Sequence, residues 1–133
     1  MKLISNVIPL AALFSVASAA HVPHGKYYDH WWNSPSKIDC FGSLISPLHG
    51  LTDFHNVKTW PFIGGSDTVG LSTRSCGSCW QISYEGKSVN ITAVDTASDG
   101  FDLSGRAMEA LTNDKDADVE ASATQIDKGY CKL

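Results

Sequence analysis

The sequence predicts a small domain that is mainly β, either a β-barrel or an α+β fold. Three observations lead to this prediction. Apolar and polar residues alternate in several short runs, only one stretch has helical spacing, and four cysteines form an even set in a chain of 133 residues. A chain of this length is enough for one domain.

The first twenty residues predict a secretory signal peptide. Lys2 precedes an apolar run from Leu3 to Val16, and the small residues at 17–20 resemble a cleavage site. The run is too short to span a membrane as a helix. Cleavage after Ala19 or Ala20 is therefore expected to leave a single secreted domain, residues 21–133, in the extracellular space or cell wall.

The first half of the mature chain predicts short elements. The segment 26–29, "KYYD", is the one candidate strand before the first cysteine. The block 40–74 is rich in turn signals such as "SPLHG" and "IGGSD". It therefore predicts loops and short strands rather than a long helix.

The second half contains the clearest pattern. Apolar residues alternate in "WQISY" and "KSVNITAV", on either side of Glu85-Gly86, which predicts a hairpin with a two-residue link. Apolar residues at helical spacing predict one helix from Leu103 to about Asn113. A last strand is predicted from about Asp118 to Ile126.

The four cysteines are expected to form two disulfides, as in other small exported domains. Cys76 and Cys79 are not expected to bond to each other, because bridges between distant segments restrict the unfolded chain more. Each is therefore expected to pair with Cys40 or Cys131, and both arrangements stay open. "CGSC" resembles a dithiol redox motif, but a hairpin follows it instead of a helix. A zinc site of four cysteines would need a second pair with this spacing.

The charge of the chain disfavours two classes of partner. The formal net charge is −4, and about −5 without the signal peptide, and the sequence has no basic stripe. Nucleic acid and anionic membrane surfaces are therefore not expected partners. An uncharged polysaccharide fits better. No cofactor is implied, and the histidines show no metal-ligand spacing.

A resemblance to a known family is carried by motifs in a fixed order. "WPFIGG" at 60–65, the stretch "CGSCWQISYEGKSVNITAVDTASDGFDLSGRAMEALTN" and the terminal Cys131 resemble the cerato-platanin family of small secreted fungal proteins. The resemblance covers most of the chain after Tyr27. It implies a six-stranded double-psi β-barrel, shared with expansins and barwin, with one or two short helices. It also implies the disulfides Cys40–Cys76 and Cys79–Cys131.

The same resemblance implies an extracellular role. Members of the family bind chitin-type or other wall oligosaccharides and act as elicitors or effectors at plant surfaces, and some loosen cellulose as expansins do. The partner that the resemblance implies is therefore a cell-wall polysaccharide or oligosaccharide, with contacts to host or self protein in addition.

The stretch "AVDTASDGFDLSG" at 93–105 holds three candidate site residues, Asp95, Asp99 and Asp102. In expansins an aspartate at the position of Asp102 is the functional acid, and cerato-platanins often have asparagine there; Asp95 matches a position near the groove. A structural role is the alternative. Asp102 would then cap the following helix, with a lowered pKa, and Asp95 would bind backbone in a turn. Asp99 is interpreted as a turn residue.

The other expected groove residues follow from the need for flat apolar surface and hydroxyl acceptors in sugar binding. Tyr27, Asp29 and Trp60 are predicted as further walls beside Asp95 and Asp102.

The remaining candidate positions are two tryptophans that would form a surface patch and one asparagine in a predicted strand. The pair Trp31-Trp32 cannot point inward together on one strand, so it predicts an exposed aromatic patch for a glycan or for self-association. Trp80 is expected in the core. Asn90 starts an N-glycosylation sequon.

Three functions stay open at this point. The favoured one is non-hydrolytic binding of chitin or glucan oligomers, with Asp95 and Asp102 accepting hydrogen bonds from sugar hydroxyls. An alternative is a weak glycan-cleaving hydrolase or lytic enzyme that uses Asp102, since two carboxylates roughly 5 to 10 Å apart are the minimum for glycoside cleavage. A second alternative is a protein-binding effector without glycan activity.

Overall fold

The computed structural model describes residues 17–30 and 38–131. Within these residues lie six strands: β1 (Ser18–Val22), β2 (Ile63–Ser66), β3 (Cys79–Tyr84), β4 (Lys87–Thr96), β5 (Phe101–Leu103) and β6 (Val119–Ile126). The same residues form three helices: α1 (Asp39–Gly42), α2 (Asp67–Leu71) and α3 (Gly105–Thr112). Short 3₁₀ turns lie at Lys26–Asp29, Phe54–Asn56, Thr73–Ser75 and Lys128–Cys131.

The six strands form one sheet in the order β1-β6-β3-β4-β2-β5, which curves into a nearly closed barrel. The chain after β1 completes the closure along β5. Leu103 donates its backbone N–H to the carbonyl of Pro23 at 3.0 Å, and Gly25 donates to the carbonyl of Leu103 at 2.7 Å. The prediction of a mainly β barrel is thus confirmed.

The predicted hairpin is present with the expected register. β3 and β4 pair antiparallel, with Trp80 opposite Ile91 and Ile82 opposite Val89. Glu85 and Gly86 form the link with positive φ angles of 48° and 84°, the conformation that a two-residue hairpin loop requires.

The disulfides are Cys40–Cys76 and Cys79–Cys131, as the resemblance implied. The first joins α1 to the segment before β3, and the second joins β3 to the C-terminal 3₁₀ turn. All four cysteines are fully buried.

Apolar side chains pack in two clusters. One surrounds Phe54, which contacts Phe41 and Tyr28 edge to face. The other lies between the sheet and α3, where Met108 and Leu111 pack against strand residues. The apolar stripe that the sequence predicted for this helix therefore faces the barrel. None of the helices in the described ranges is long and apolar enough to cross a bilayer.

Two local predictions about helices and strands were wrong. The segment 26–29 is a 3₁₀ turn rather than a strand, because the N–H of Tyr28 bonds to the carbonyl of Gly25. The described part of the chain holds three helices where one or two were expected, because α1 and α2 are single turns and too short to show helical spacing in sequence.

Two strands were missed for different reasons. β2 contains Gly64 and Gly65, which read as a turn in sequence but allow close approach of neighbouring backbones. β1 overlaps the predicted signal peptide and pairs with β6. The cleavage point stays a prediction; a cut after Ala20 would leave His21 and Val22 as the retained part of β1.

Candidate functional site

Asp95 and Asp102 lie on either side of Gly65. Gly65 is in register with Asp95 of β4 and also with Asp102 of β5. Neighbouring strands are about 4.8 Å apart, so the two aspartate backbones are about 10 Å apart across the central strand. The topology thus brings together two carboxylates that are seven positions apart in sequence.

Tyr28 lies over the glycine between them. A methyl group added at Gly65 would be 2.9 Å from the Tyr28 hydroxyl, and this hydroxyl donates to Asp95 Oδ2 at 3.2 Å. Burial, followed by the charges of Asp95 and Asp102, raises the pKa of Tyr28. The phenol therefore keeps its proton and acts as a donor.

The carboxylate of Asp95 is engaged by the protein on both oxygens. Oδ1 accepts from the backbone N–H of Asp39, the first residue of α1, at 3.1 Å. The Thr96 hydroxyl donates to Asp39 at 2.6 Å and closes this cluster. Burial raises the pKa of Asp95, and the backbone hydrogen bonds from Asp39 and Thr96 oppose that shift. Asp95 thus binds backbone, but it lies within β4 and its donor is the distant Asp39, rather than a residue of a local turn as its structural interpretation expected.

Asp102 does not cap a helix. It lies within β5, and Ser104 is the N-cap of α3, its hydroxyl accepting from the N–H of Ala107 at 3.3 Å. Asp102 is half-buried and, within residues 17–30 and 38–131, accepts no hydrogen bond. Burial raises its pKa, and the nearby His21 offsets part of this effect. The expectation of a lowered pKa was wrong, because no backbone N–H of the described residues reaches the carboxylate.

The other predicted walls occupy different positions. Asp29 accepts from the N–H of Gly105 at 2.7 Å, at the start of α3, and so holds that helix from outside. Tyr27 packs edge to face on Phe54, and Trp60 stacks on the same ring at 5.8 Å. Both aromatic side chains are half-buried against the core. Their role in a groove stays a prediction.

The remaining candidates are placed as follows. Asp99 is exposed in the loop before Gly100, which has a φ of 69° as a turn requires. Asn90 is half-buried in β4 opposite Gln81, and its glycosylation stays a prediction. Trp31 and Trp32 lie outside the described residues.

Gly65→Ala tests whether the glycine holds Tyr28 in place. The added methyl would lie 2.9 Å from the Tyr28 hydroxyl and 3.0 Å from the carbonyl of Thr96. We expect it to displace the hydroxyl from Asp95 and to lower the free energy of unfolding by about 1–3 kcal/mol, measured by urea unfolding. Gly42→Ala is the control, since a methyl there has no heavy atom within 4 Å. Equal stability of the two variants would contradict this account.

Comparison with known proteins places this geometry in a family. Residues 20–133 match the family model for cerato-platanin. The chain belongs to the cerato-platanin family. A curated relative, Allergen Asp f 15 of Aspergillus fumigatus, is 28% identical over 114 residues, which cover 83% of this chain and 75% of that protein.

Solved structures of cerato-platanins share the fold. Cerato-platanin 3 from M. perniciosa aligns with a TM-score of 0.77 and 31% identity, covering 87% of this chain and all of that one. A mutant Clavibacter michiganensis expansin in complex with cellohexaose aligns with a TM-score of 0.57 over 84% of this chain and 51% of the expansin. Its identity of 13% supports a shared fold alone. The predicted double-psi β-barrel of the cerato-platanins is thus confirmed.

Sequence reasoning did not predict the contact that Tyr28 makes in this cerato-platanin. Its hydroxyl donates to Asp95, while the predicted groove role of the neighbouring Tyr27 stays a prediction. The sequence signal that could have indicated this contact was the pair Gly64-Gly65, since glycines inside a strand mark the close approach of another group. No sequence pattern indicates which of two adjacent tyrosines turns inward.

Across residues 17–30 and 38–131, no group of three or more His, Cys, Asp or Glu side chains is placed to hold a metal ion.

Proposed function

We propose that this cerato-platanin is a secreted protein that binds chitin or glucan oligomers of a cell wall without hydrolysing them, and that it acts at a host surface as an effector or elicitor. One observation carries the binding proposal. Asp102 is a half-buried carboxylate that accepts no hydrogen bond from the described residues, and it lies across Gly65 from Asp95 and Tyr28. Its acceptor capacity is open to a ligand.

Sugar hydroxyls suit this arrangement. A carboxylate is an acceptor on both oxygens, and hydroxyl donors bind it with charge-assisted hydrogen bonds. Asp95 is held by Tyr28 and Asp39, so Asp102 is the principal acceptor and Asp95 an oriented neighbour. Because burial raises the pKa of Asp102, this acceptor is complete only above that raised value.

Family membership and fold support a wall polysaccharide as the ligand. The Clavibacter michiganensis expansin, which shares the barrel, is a complex with cellohexaose. Two disulfides suit an oxidising, extracellular location. Expansin-like wall loosening belongs to this proposal as a consequence of binding and not of bond cleavage.

A second candidate, a glycan-cleaving enzyme with Asp102 as general acid, is favoured by one observation. A raised pKa is the direction that a general acid needs near neutral pH. The contacts of Asp95, the second carboxylate, argue against this enzyme. A base or nucleophile must reach water or the sugar, and both oxygens of Asp95 already accept hydrogen bonds from the protein.

The test is an NMR titration of the mature protein with chitin and cellulose oligomers, combined with an assay for released reducing ends. We expect shifts of backbone amides centred on Gly65, Asp95 and Asp102, and no product. Product that disappears in Asp102→Asn at saturating oligomer would favour the enzyme. The absence of any shift with every oligomer would contradict glycan binding, and capture of a defined host protein would then favour the protein-binding effector.

A further inference from the structure

His24 is a buried histidine whose two ring nitrogens both face carboxylates. Nε2 lies 2.8 Å from Asp29 Oδ2, and Nδ1 lies 3.1 Å from Asp116 Oδ1. The side chain is 6% exposed, whereas that of Asp116 is 60% exposed. An ionised carboxylate only accepts hydrogen bonds, so each contact needs an N–H donor. Only the imidazolium form carries both, and the geometry therefore describes a protonated ring.

The two carboxylates belong to different parts of the fold. Asp116 lies in the loop between α3 and β6, and Asp29 ends the 3₁₀ turn that contains Tyr28. Asp29 uses its other oxygen to accept from Gly105 at 2.7 Å. His24 thus ties residues 23–29, hereafter the strap, to the loop that follows α3, while Asp29 ties it to the start of that helix.

The strap supplies two contacts of the groove. Gly25 bonds to Leu103, the residue after Asp102, and a methyl on Gly25 would be 3.1 Å from the Cβ of Asp102. The same methyl would be 2.7 Å from the Tyr28 ring. The path of the strap therefore sets the separation between Tyr28 and Asp102.

We propose that His24 is a positioning residue of the groove: held as an imidazolium between Asp29 and Asp116, it fixes the strap and thereby the positions of Tyr28 and Asp102. The ligand-binding part of this proposal rests on the proposed glycan function. When His24 loses its proton, one of its two carboxylate contacts loses its donor. The strap is then held by one contact, and Tyr28 is less firmly placed over Gly65.

Other charged groups surround this contact and belong in its pH dependence. Lys26 and Asp118 line, with His24 and Asp116, a solvent-open depression of about 370 Å³. Lys115 lies 3.5 Å from Asp116 on the outer side. The carboxylates of Asp95 and Asp102 lie in the groove itself, where burial raises the pKa of both.

The deciding variant is Asp116→Asn. An asparagine amide can donate to the lone pair of a neutral imidazole, so it restores the second contact when His24 is uncharged. The matched control is Asp118→Asn, which removes one charge from the same loop and contacts His21 instead.

The first measurement follows the amides of Gly25, Tyr28 and Gly65 by NMR in the ligand-free protein between pH 5 and pH 9. In the wild type and in Asp118→Asn, these signals should titrate with the His24 ring. In Asp116→Asn they should not follow it. The second measurement is oligomer affinity, which should fall by about 3-fold across the same titration in the wild type and stay level in Asp116→Asn.

The proposal would be overturned if the amide signals of the strap did not change as the His24 ring titrates. It would also be overturned if Asp116→Asn had the wild-type pH profile. If Asp102→Asn abolishes binding while the Asp116 variant changes nothing, the glycan function stands and the role of His24 fails. If no oligomer binds at any pH, the glycan function fails, and the ligand-free titration alone decides the role of His24.

Discussion

Asp102→Asn is expected to weaken binding of chitin or cellulose oligomers by about 10-fold or more, while making the free protein more stable near neutral pH. Binding is weakened because a hydrogen bond to a charged acceptor contributes more than one to a neutral amide. No described protein group donates to this carboxylate, so the substitution should weaken the hydrogen bond to the ligand without breaking one within the described protein.

The gain in stability follows from the sign of the pKa shift. Burial raises the pKa of Asp102 in the folded protein. Burial therefore favours the protonated, neutral form of Asp102. The stability that this form contributes is fully present below the pKa of Asp102 in the unfolded chain, and it is lost as the pH rises through the pKa of Asp102 in the folded protein. Asparagine is neutral at every pH, so the free energy of unfolding of the variant should exceed that of the wild type at pH 7. This advantage should disappear near pH 3.

Calorimetric titration measures the affinity, and urea unfolding at pH 7 and pH 3 measures the stability. Asp99→Asn is the control, because Asp99 is an exposed carboxylate in the adjoining loop and should leave both quantities unchanged. An unaltered affinity in Asp102→Asn would refute its role as hydroxyl acceptor. A loss of stability at pH 7 would refute the argument from a buried charge.

Replacing both Cys79 and Cys131 with alanine is expected to lower the free energy of unfolding by about 4 kcal/mol. The bridge joins residues 52 positions apart, and closing a loop of that length restricts the unfolded chain by about this amount. The free energy of unfolding of a native domain is about 5–15 kcal/mol. The variant should therefore retain only a small part of its stability. Urea unfolding under non-reducing conditions provides the measurement.

The Cys40–Cys76 bridge offers a matched comparison with a different effect on the groove. It joins residues 36 positions apart, so its removal should destabilise by nearly the same amount. Cys40 directly follows Asp39, whose N–H binds Asp95. At a temperature where both double-alanine variants are folded, only the Cys40–Cys76 variant should shift the NMR signal of the Asp95 carboxyl. Equal shifts in both would contradict the link from α1 to Asp95.

Asp95 in β4 and Asp102 in β5 differ in how the protein engages their carboxylates. Asp95 accepts hydrogen bonds from Tyr28 and from the first residue of α1, and these bonds anchor both segments to β4. Asp102 is also half-buried, but no residue in 17–30 or 38–131 donates a hydrogen bond to its carboxylate, so its charge destabilises the fold locally. In the proposed glycan site, this charge is available as an acceptor for a sugar hydroxyl.

Local sequence was enough to predict the parts of the fold that local physics controls. The β3–β4 hairpin follows from alternation of apolar residues around Glu85-Gly86, where only a residue pair tolerant of positive φ can close the link. Helix α3 follows from its apolar stripe, with an error of two residues at its start because Ser104 is the cap. The disulfide pairing needed the family resemblance, since cysteine positions alone left two arrangements open.

Tertiary structure alone decided the candidate site. Asp95 and Asp102 face each other across Gly65 because β2 inserts between β4 and β5, and a strand order that is not sequential leaves no local pattern. The contact of Tyr28 with Asp95 depends on a 3₁₀ turn that Gly25 and Asp29 hold through contacts with β5 and α3. Sequence by itself determined which residues could carry the chemistry; long-range pairing determined which of them meet.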